Sequence, residues 1–434
     1  MLNGMRDESF GRLKVMIMIA LTCLVPLLFV APPSSPTMSN ITLYVSALTG
    51  YAGMAMLVWM YVLGTRSLVK HRFGDIAGIL KMHGWLGKYG TLAIFAHPIF
   101  VMLSYGETLL YVVAPQVGTQ FENHVTLGRL ALYFLLVIWL TSAIVRGKIA
   151  DRPWKYIHYL SYLILPFAIL HVPDVGSTFM TSLAAKGFVL FTVLAFLVST
   201  LFRLYALAGL DRLEYQVRSN VEINPGIFQL TLAPTRGAIS PAYGQFVFIR
   251  LGLISEDHAF SVVYTDPSDG TLVLTYKRYR MFTREMSKLR AGATVTIDGP
   301  YGKFTSELAS AKRPIVFVAG GIGITPFVSH LFSDTDTDRW LFYTAPSPEN
   351  AAYLPELRRR LGGRVIGLFQ NLPPDSDFGE KAWVSMETFS RHLDDPIRYD
   401  YYLCGPPDML KAAERSIRSI GVSPSAIHKE EFAF

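Results

Sequence analysis

ILKMHGWLGKYGTLAIFAHPIFVMLSY (residues 79–105) and WKYIHYLSYLILPFAILHV (residues 154–172) decide how this chain folds. Each is apolar over about the 20 residues that a helix needs to cross a hydrocarbon core. Each also carries two histidines, His83 and His97 in the first and His158 and His171 in the second. Ionisable side chains are costly inside a bilayer and usually mark function there. A helix rise of 1.5 Å per residue separates the histidines of each stretch by roughly 20 Å. Neutral imidazole is a standard axial ligand of haem iron. One ring from each helix at each of two depths would therefore clamp two haems, His83 with His158 and His97 with His171. A single histidine of this kind reads as a packed core residue; two matched pairs on alternate helices do not. At about 100° per residue, the wider spacing returns to one helix face and the spacing between His158 and His171 falls roughly 140° short of it. Pro166, between them, is expected to disturb that helix.

The rest of the first half has the same character. Of 434 residues, 51% are hydrophobic and 17% charged, with a mean hydropathy of +0.32. The excess lies in residues 1–206, and residues 211–434 read as a soluble protein. Six segments qualify as spans: 14–31, 41–63, 79–105, 127–145, 154–172 and 183–206. The first resembles a secretory signal, but its apolar core is long and residues 31–36 (APPSSP) make a poor cleavage site, so a retained helix is expected.

Arg6, Arg12 and Lys14 precede the first span; Arg66, Lys70, Arg72 and Lys81 follow the second; Arg146, Lys148, Arg152 and Lys155 follow the fourth; Arg203 and Arg212 close the sixth. The alternate loops, 32–40, 106–126 and 173–182, hold no Lys or Arg. By the positive-inside rule both termini and the soluble half lie in the cytoplasm. The net charge of +7 thus serves orientation in a lipid bilayer, and no nucleic-acid partner is expected. Two cysteines, Cys23 and Cys404, are too few for a disulfide framework or an iron–sulfur cluster. Lys88, Arg129 and Lys155 either neutralise haem propionates or snorkel to headgroups. His71 and His124 sit in loop-like context and are assigned no ligand role.

Residues 211–310 alternate apolar and polar positions in short runs (228–232, 245–250, 271–276 and 294–298), which indicates a small antiparallel barrel. Residues 311–434 alternate buried strands (314–319, 340–345, 364–369, 399–404) with helical stretches, the pattern of a parallel α/β sheet. The first of those strands runs into AGGIGITPF (319–327), where Gly320, Gly321 and Gly323 let backbone approach a pyrophosphate at the start of a helix.

These motifs together resemble the ferredoxin–NADP⁺ reductase superfamily, and the whole chain resembles a ferric reductase or NADPH oxidase of compact bacterial type. HAFS (258–261) is similar to the family's flavin signature. The resemblance implies that His258 belongs to that signature, that Phe260 packs on the isoalloxazine, and that Ser261 hydrogen-bonds near flavin N5. It places Lys277 and Thr283 at the FAD pyrophosphate. GPYGKF (299–304) resembles the turn that closes the flavin barrel. GGIGITP (320–326, including Thr325 and Pro326) resembles the nucleotide pyrophosphate loop, and CGPP (404–407, with Cys404, Gly405 and Pro406) the strand end beside the nicotinamide. The terminal Phe434 would cover the flavin and yield to nicotinamide. Singly, Phe260 reads as core, Phe434 as a frayed end and Cys404 as a small buried residue.

The expected architecture is thus an all-α six-helix membrane bundle (1–210), an antiparallel β-barrel FAD domain (211–310) and an α/β nucleotide-binding domain (311–434). The cofactors implied are FAD, two b-type haems, and NADPH or NADH. Where animal-type oxidases carry a further histidine beyond the outer haem ligand, this chain has Val101, which weakens a specialised oxygen pocket. Where NADPH users often place an arginine for the 2′-phosphate it has Ala345, Pro346 and Ser347, so NADH serves as a donor too unless Arg358, Arg359 and Arg360 compensate. Neither calcium control in cis nor an obligate protein partner is expected. Three outlets remain open: oxygen giving superoxide, which is favoured; a ferric or cupric chelate, for which the outer loops offer Glu107, Glu122, His124 and Asp174; or a quinone or partner protein served by a haem-bearing anchor. The single-chain arrangement suggests a bacterial plasma membrane.

Overall fold

Pro26 has no amide hydrogen to give an α-helix, and the first helix, α1 (Leu2–Leu24), ends two residues before it. Val25–Leu28 continue as a tighter 3₁₀ turn. The first half of α1 carries Arg6, Asp7, Glu8, Arg12 and Lys14, so its apolar part, Val15 to Leu24, is about half of a full span. Among the described residues five helices, not the six expected, are long and apolar enough to cross a membrane: α2 (Met38–Gly64), α3 (Gly78–Tyr105), α4 (Gln120–Ile144), α5 (Arg152–Val175) and α6 (Leu183–Leu207). The apolar end of α1 nevertheless lies antiparallel against α2. Trp59 Nε1 donates to Thr22 Oγ1 (2.8 Å), and the Phe29 ring meets Tyr51 edge-on at 5.1 Å. The computed structural model describes residues 2–70, 76–252, 255–305, 308, 313–333, 338–374 and 376–431 of the chain. His71 and Phe434 lie outside them.

Helix ends follow local chemistry. Thr37 caps α2 by accepting from the Asn40 amide, and Thr119 and Glu122 form a reciprocal capping box at the start of α4. Gly106, at φ +65°, turns the chain out of α3 in a conformation that a Cβ would oppose. Within the membrane unit α2 packs on α3, α4 on α5, and α6 on α2. Leu57, Val58, Tyr61, Leu135, Ile138 and Leu165 form its core. The outward faces stay apolar: Leu92, Ile99, Leu103, Leu190, Leu194 and Leu201 are all exposed. Such a belt is unstable in water and suits lipid. Two helices are locally underwound, with π-turns at Leu86–Gly90 in α3 and Leu140–Ile144 in α4.

The second unit, within Ala208–Phe434, begins with six strands: β1 (Leu213–Asn224), β2 (Ile227–Pro234), β3 (Phe246–Arg250), β4 (His258–Thr265), β5 (Leu272–Lys277) and β6 (Thr294–Tyr301). They close an antiparallel barrel in the order β1-β2-β5-β4-β3-β6, filled by Tyr215, Leu230, Val247, Leu274 and Ile297. A short helix, α7 (Met281–Met286), follows β5. The α/β part runs β7 (Ile315–Gly320), α8 (Thr325–Phe332), β8 (Arg339–Ala345), α9 (Leu354–Leu361), β9 (Val365–Phe369), α10 (Met386–His392), β10 (Asp400–Gly405), α11 (Pro407–Ser419) and β11 (Ile427–Glu431). Its parallel order is β11-β10-β7-β8-β9. Every residue of β7, β9 and β10 is buried, as in a sheet covered on both faces. The chain starts in the centre at β7, builds outward to β9, and returns to the other side at β10. The crevice at the carboxyl ends of β7 and β10 is therefore a topological switch point, where open α/β sheets bind ligands.

Candidate redox sites

Two sites emerge, one in each unit. In the membrane unit the His83 and His158 rings face each other with centroids 6.1 Å apart and planes at 71°. The His97 and His171 rings do so at 6.4 Å and 81°. Both expected pairs are thus formed. Metal–imidazole bonds run at about 2.0–2.1 Å, so two in line, with half a ring at either side, span roughly 6 Å. Each pair has the separation that a metal held between two imidazoles requires.

The far side of each ring is equally informative. His83 Nδ1 meets the Met60 carbonyl (2.9 Å), His97 Nδ1 the Ser46 carbonyl (2.8 Å), and His171 Nδ1 the His124 carbonyl (2.8 Å). A carbonyl only accepts, so each Nδ1 carries the proton and each Nε2 keeps a free lone pair. These second contacts fix ring orientation and tautomer as they do for metal-bound histidine. Glycine makes the close approach possible. A Cβ on Gly50 would sit 3.0 Å from the His97 ring, one on Gly64 3.2 Å from His83, and one on Gly128 2.6 Å from His171. Sequence reasoning passed over these glycines, although Gly50 and Gly64 repeat the spacing of His83 and His97 and so carried a signal.

The awkward spacing on α5 is accommodated upstream of the expected place. Pro166 lies inside the helical run Ser161–Val175 without ending it. The interruption is at Leu160, where Leu160 N bonds to Ile157 O and Leu163 N to Leu160 O, both 3.0 Å. These three-residue steps overwind the helix between His158 and His171. Arg129, one of the candidates for snorkelling, is instead only 4% exposed and donates Nε and Nη2 to the Tyr111 carbonyl at 3.0 and 2.6 Å. It pins the short helix Leu109–Val113 against α4. In the outer-loop set, Glu122 serves the capping box and His124 pairs with Asp174, which also accepts from Gln120 (2.8 Å).

In the second unit β4 carries His258, Phe260 and Ser261. His258 stacks on Phe282 of α7 at 3.9 Å and 25°; Phe260 lies parallel to the same ring at 6.1 Å and edge-on to Tyr276. Ser261 is 3% exposed, and its hydroxyl meets no hydrogen-bond partner. An unpartnered buried hydroxyl costs about 1–3 kcal/mol, a cost that a bound polar edge would remove. Lys277 is exposed at the end of β5. The Thr283 hydroxyl is used locally, accepting from the Tyr279 and Arg280 amides (2.9 and 3.2 Å) at the head of α7.

At the switch point Gly321 has φ +53° with open space where a Cβ would point, whereas a Cβ on Gly323 would fall 2.3 Å from the Cys404 carbonyl. One glycine leaves room for a ligand, and the other lets the loop press on β10. Gly320 packs likewise on Pro406 and Gly405. Thr325 and Pro326 are buried in the first turn of α8, with Thr325 Oγ1 on the Ile322 carbonyl (3.0 Å). Ser347 hydrogen-bonds Asn350, Arg359 pairs with Glu356 and Arg358 donates to the Asp377 carbonyl.

Cys404 is fully buried, and burial, with the neighbouring Glu430 carboxylate, pushes its thiol well above its ordinary range. It is an uncharged packing surface and not a nucleophile. Burial likewise raises Glu430 to about 7. The folded state therefore holds this proton more tightly than the unfolded chain, and the stability it confers is present below about pH 4.5 and lost as pH rises through 7. Glu430→Gln is expected to flatten that dependence and to stabilise the unit by about 1–3 kcal/mol at pH 8. Thermal melts of both proteins at pH 5 and pH 8 check this; equal losses on raising the pH would refute it.

Residues 49–169 match the family described as ferric reductase like transmembrane component, and residues 317–415 match the oxidoreductase NAD-binding domain. The chain is 28% identical over 228 residues to a flavohemoprotein of Bordetella pertussis, covering 46% of this chain and 56% of that protein. It is 26% identical over 232 residues to the carnitine monooxygenase reductase subunit of Escherichia coli, covering 51% of this chain and 68% of that one. The FAD/NAD-binding domain of a Vibrio cholerae nitric oxide dioxygenase aligns with 51% of this chain and 99% of its own length, at 18% identity and a TM-score of 0.46. The chain is an integral membrane oxidoreductase. More narrowly, it joins a region that matches a ferric reductase like transmembrane component to one that matches an oxidoreductase NAD-binding domain, a combination that resembles a ferric reductase/NADPH oxidase-type fusion.

Proposed function

We propose that the chain moves electrons from cytosolic NADPH or NADH, by way of FAD and two b-type haems, to oxygen on the opposite side of the membrane, forming superoxide. The observation that carries this reading is the pairing of four imidazoles into two facing sets, three with Nδ1 fixed on a backbone carbonyl. His83 and His158 would hold the inner haem, His97 and His171 the outer one. When bound, the flavin takes a hydride and the haem irons carry electrons singly, and that redox chemistry belongs to the cofactors.

The protein's part is placement. The Gly320–Gly323 loop would seat the dinucleotide pyrophosphate, and Cys404, Gly405 and Pro406 would bring the nicotinamide C4 towards the flavin. Phe260 would pack on the ring system, and the Ser261 hydroxyl would donate to its N5 edge. Lys277 and the amides at the head of α7, near Thr283, would meet the FAD pyrophosphate. Phe434 would cover the flavin until nicotinamide displaces it. Oxygen is favoured over a metal chelate because Glu122 is already engaged by Thr119 in the capping box and His124 by Asp174. Ser261→Ala is expected to slow flavin reduction by NADH about a hundredfold, the lower end of the cost of losing one aimed donor. Stopped-flow bleaching of the flavin band measures it, and an unchanged rate would remove Ser261 from the site.

The whole reading is tested by adding NADH or NADPH to the FAD-loaded protein without oxygen, following the haem bands, then admitting air. Anaerobic reduction followed by fast reoxidation with superoxide supports it. Haems that stay reduced in air until a ferric chelate is added would identify a metal reductase instead. Failure to bind haem would leave only the flavin reductase.

A further inference from the structure

Three of the four imidazoles share one arrangement, and the fourth breaks it. Gly50, Gly64 and Gly128 each lie against a histidine ring, and in each case the ring's Nδ1 reaches the carbonyl one helical turn before the glycine: Ser46, Met60 and His124. On α4 the position that follows Gly128, as Gly64 follows Gly50, is Ser142, and the matching carbonyl would be that of Ile138. His158 does not reach it. Its Nδ1 lies 3.3 Å from Ser142 Oγ. The Thr141 hydroxyl occupies the region instead, 2.7 Å from the Val137 carbonyl and 3.1 Å from that of Ile138. Ser142 sits inside the π-turn Leu140–Ile144, which displaces the backbone at this depth, a feature often found at functional sites.

The substitute contact is built, not incidental. Trp154 Nε1 donates to Ser142 Oγ (3.1 Å), and the same indole stacks on the His158 ring at 4.9 Å and 28°. Arg146 lies over the same indole at 4.2 Å. With Trp154 donating to it, the hydroxyl retains a lone pair for the His158 Nδ1 proton.

We propose that Ser142 is a positioning residue for the inner haem, holding His158 through a long hydroxyl contact where the other three ligands are held by backbone carbonyls. A hydrogen bond from Nδ1–H makes a metal-bound imidazole a stronger donor. Outer-shell bonding of this kind is one of the levers on haem potential. His158 is thereby the weakest donor of the four, and the iron between His83 and His158 is biased towards its ferrous form relative to one held by carbonyls alone. This rests on the di-haem reading above.

The test is a potentiometric titration of the full-length protein, with low-spin haem resonances and haem content recorded for each variant. Ser142→Ala removes the acceptor and is expected to raise the potential of one haem only. Thr141→Val with Ser142→Gly frees the Ile138 carbonyl and recreates the other three sites; it is expected to lower that same potential. Each shift is expected to approach a tenfold change in the ferric-to-ferrous ratio, about 59 mV for one electron. Ser142→Thr keeps the hydroxyl and is expected to retain the parent potential. If Ser142→Ala loses one haem and Ser142→Thr keeps both, the hydroxyl is again shown to hold the ligand. Two haems with unmoved potentials, both potentials moving together, or haem loss in Ser142→Ala and Ser142→Thr alike would overturn the proposal. A parent protein without two haems would instead refute the di-haem reading itself.

Discussion

His158→Leu is expected to cut bound haem from two per chain to one, and to stop NAD(P)H from reducing the haem that remains. His171→Leu is expected to lose one haem as well, yet to leave the other reducible at the parent rate. The two variants delete equivalent groups, so the difference between them reports the order of the carriers. The sites on α3 are separated by roughly 20 Å of helix, and the inner haem is the only relay on the cytoplasmic side in the proposed scheme. Flavin reduction and electron delivery to a soluble dye are expected to be unchanged in both, because the flavin and nucleotide residues belong to the other unit. Haem content by alkaline pyridine spectra and anaerobic reduction by NADH give the answer. A His158→Leu protein whose remaining haem reduced at the parent rate would show that the order, or the orientation behind it, is reversed.

The glycines should behave as a graded series. An added Cβ at Gly128 would lie 2.6, 2.8 and 2.9 Å from three atoms of the His171 ring, closer than side chains tolerate. Either α4 or the ring must move, and the Nδ1 bond to the His124 carbonyl cannot survive that movement unstrained. Gly128→Ala is therefore expected to lose the outer haem and to destabilise the membrane unit by about 1–3 kcal/mol, the usual cost of overpacking. Gly50→Ala, at 3.0 Å from His97, is expected to weaken haem retention partially, and Gly64→Ala, at 3.2 Å from His83, to keep the haem with a shifted spectrum. Gly187→Ala on α6 meets nothing within 4 Å and is expected to be neutral or to add up to about 1 kcal/mol through helix propensity. Haem retention through detergent exchange orders the four. Equal retention at Gly128 and Gly187 would mean that the rings do not depend on these glycines.

Much of this could be read before any coordinates. Hydropathy marked the helical half, and the change to alternating residues after position 211 marked the barrel, because a strand's period of two and a helix's period of 3.6 leave different traces. Pairing His83 with His158 and His97 with His171 needed only the direction in which α3 and α5 cross the bilayer. The count of spans was less legible. A composition window over residues 14–31 runs past the end of α1 at Leu24 into the 3₁₀ turn Val25–Leu28, and the charged first half of α1 leaves only Val15 to Leu24 apolar.

By itself the sequence determined which side chains can do redox-supporting work and the periodicities that distribute them among helices, strands and turns. The tertiary structure alone decided what stands behind them. No periodicity says that Ser46, Met60 and His124 offer carbonyls to imidazoles from other helices, that Leu160 rather than Pro166 takes up the misfit on α5, or that the Ser142 hydroxyl meets His158 Nδ1. Those facts depend on how closely two helix backbones approach, a distance of a few ångströms set by packing between residues far apart in the chain.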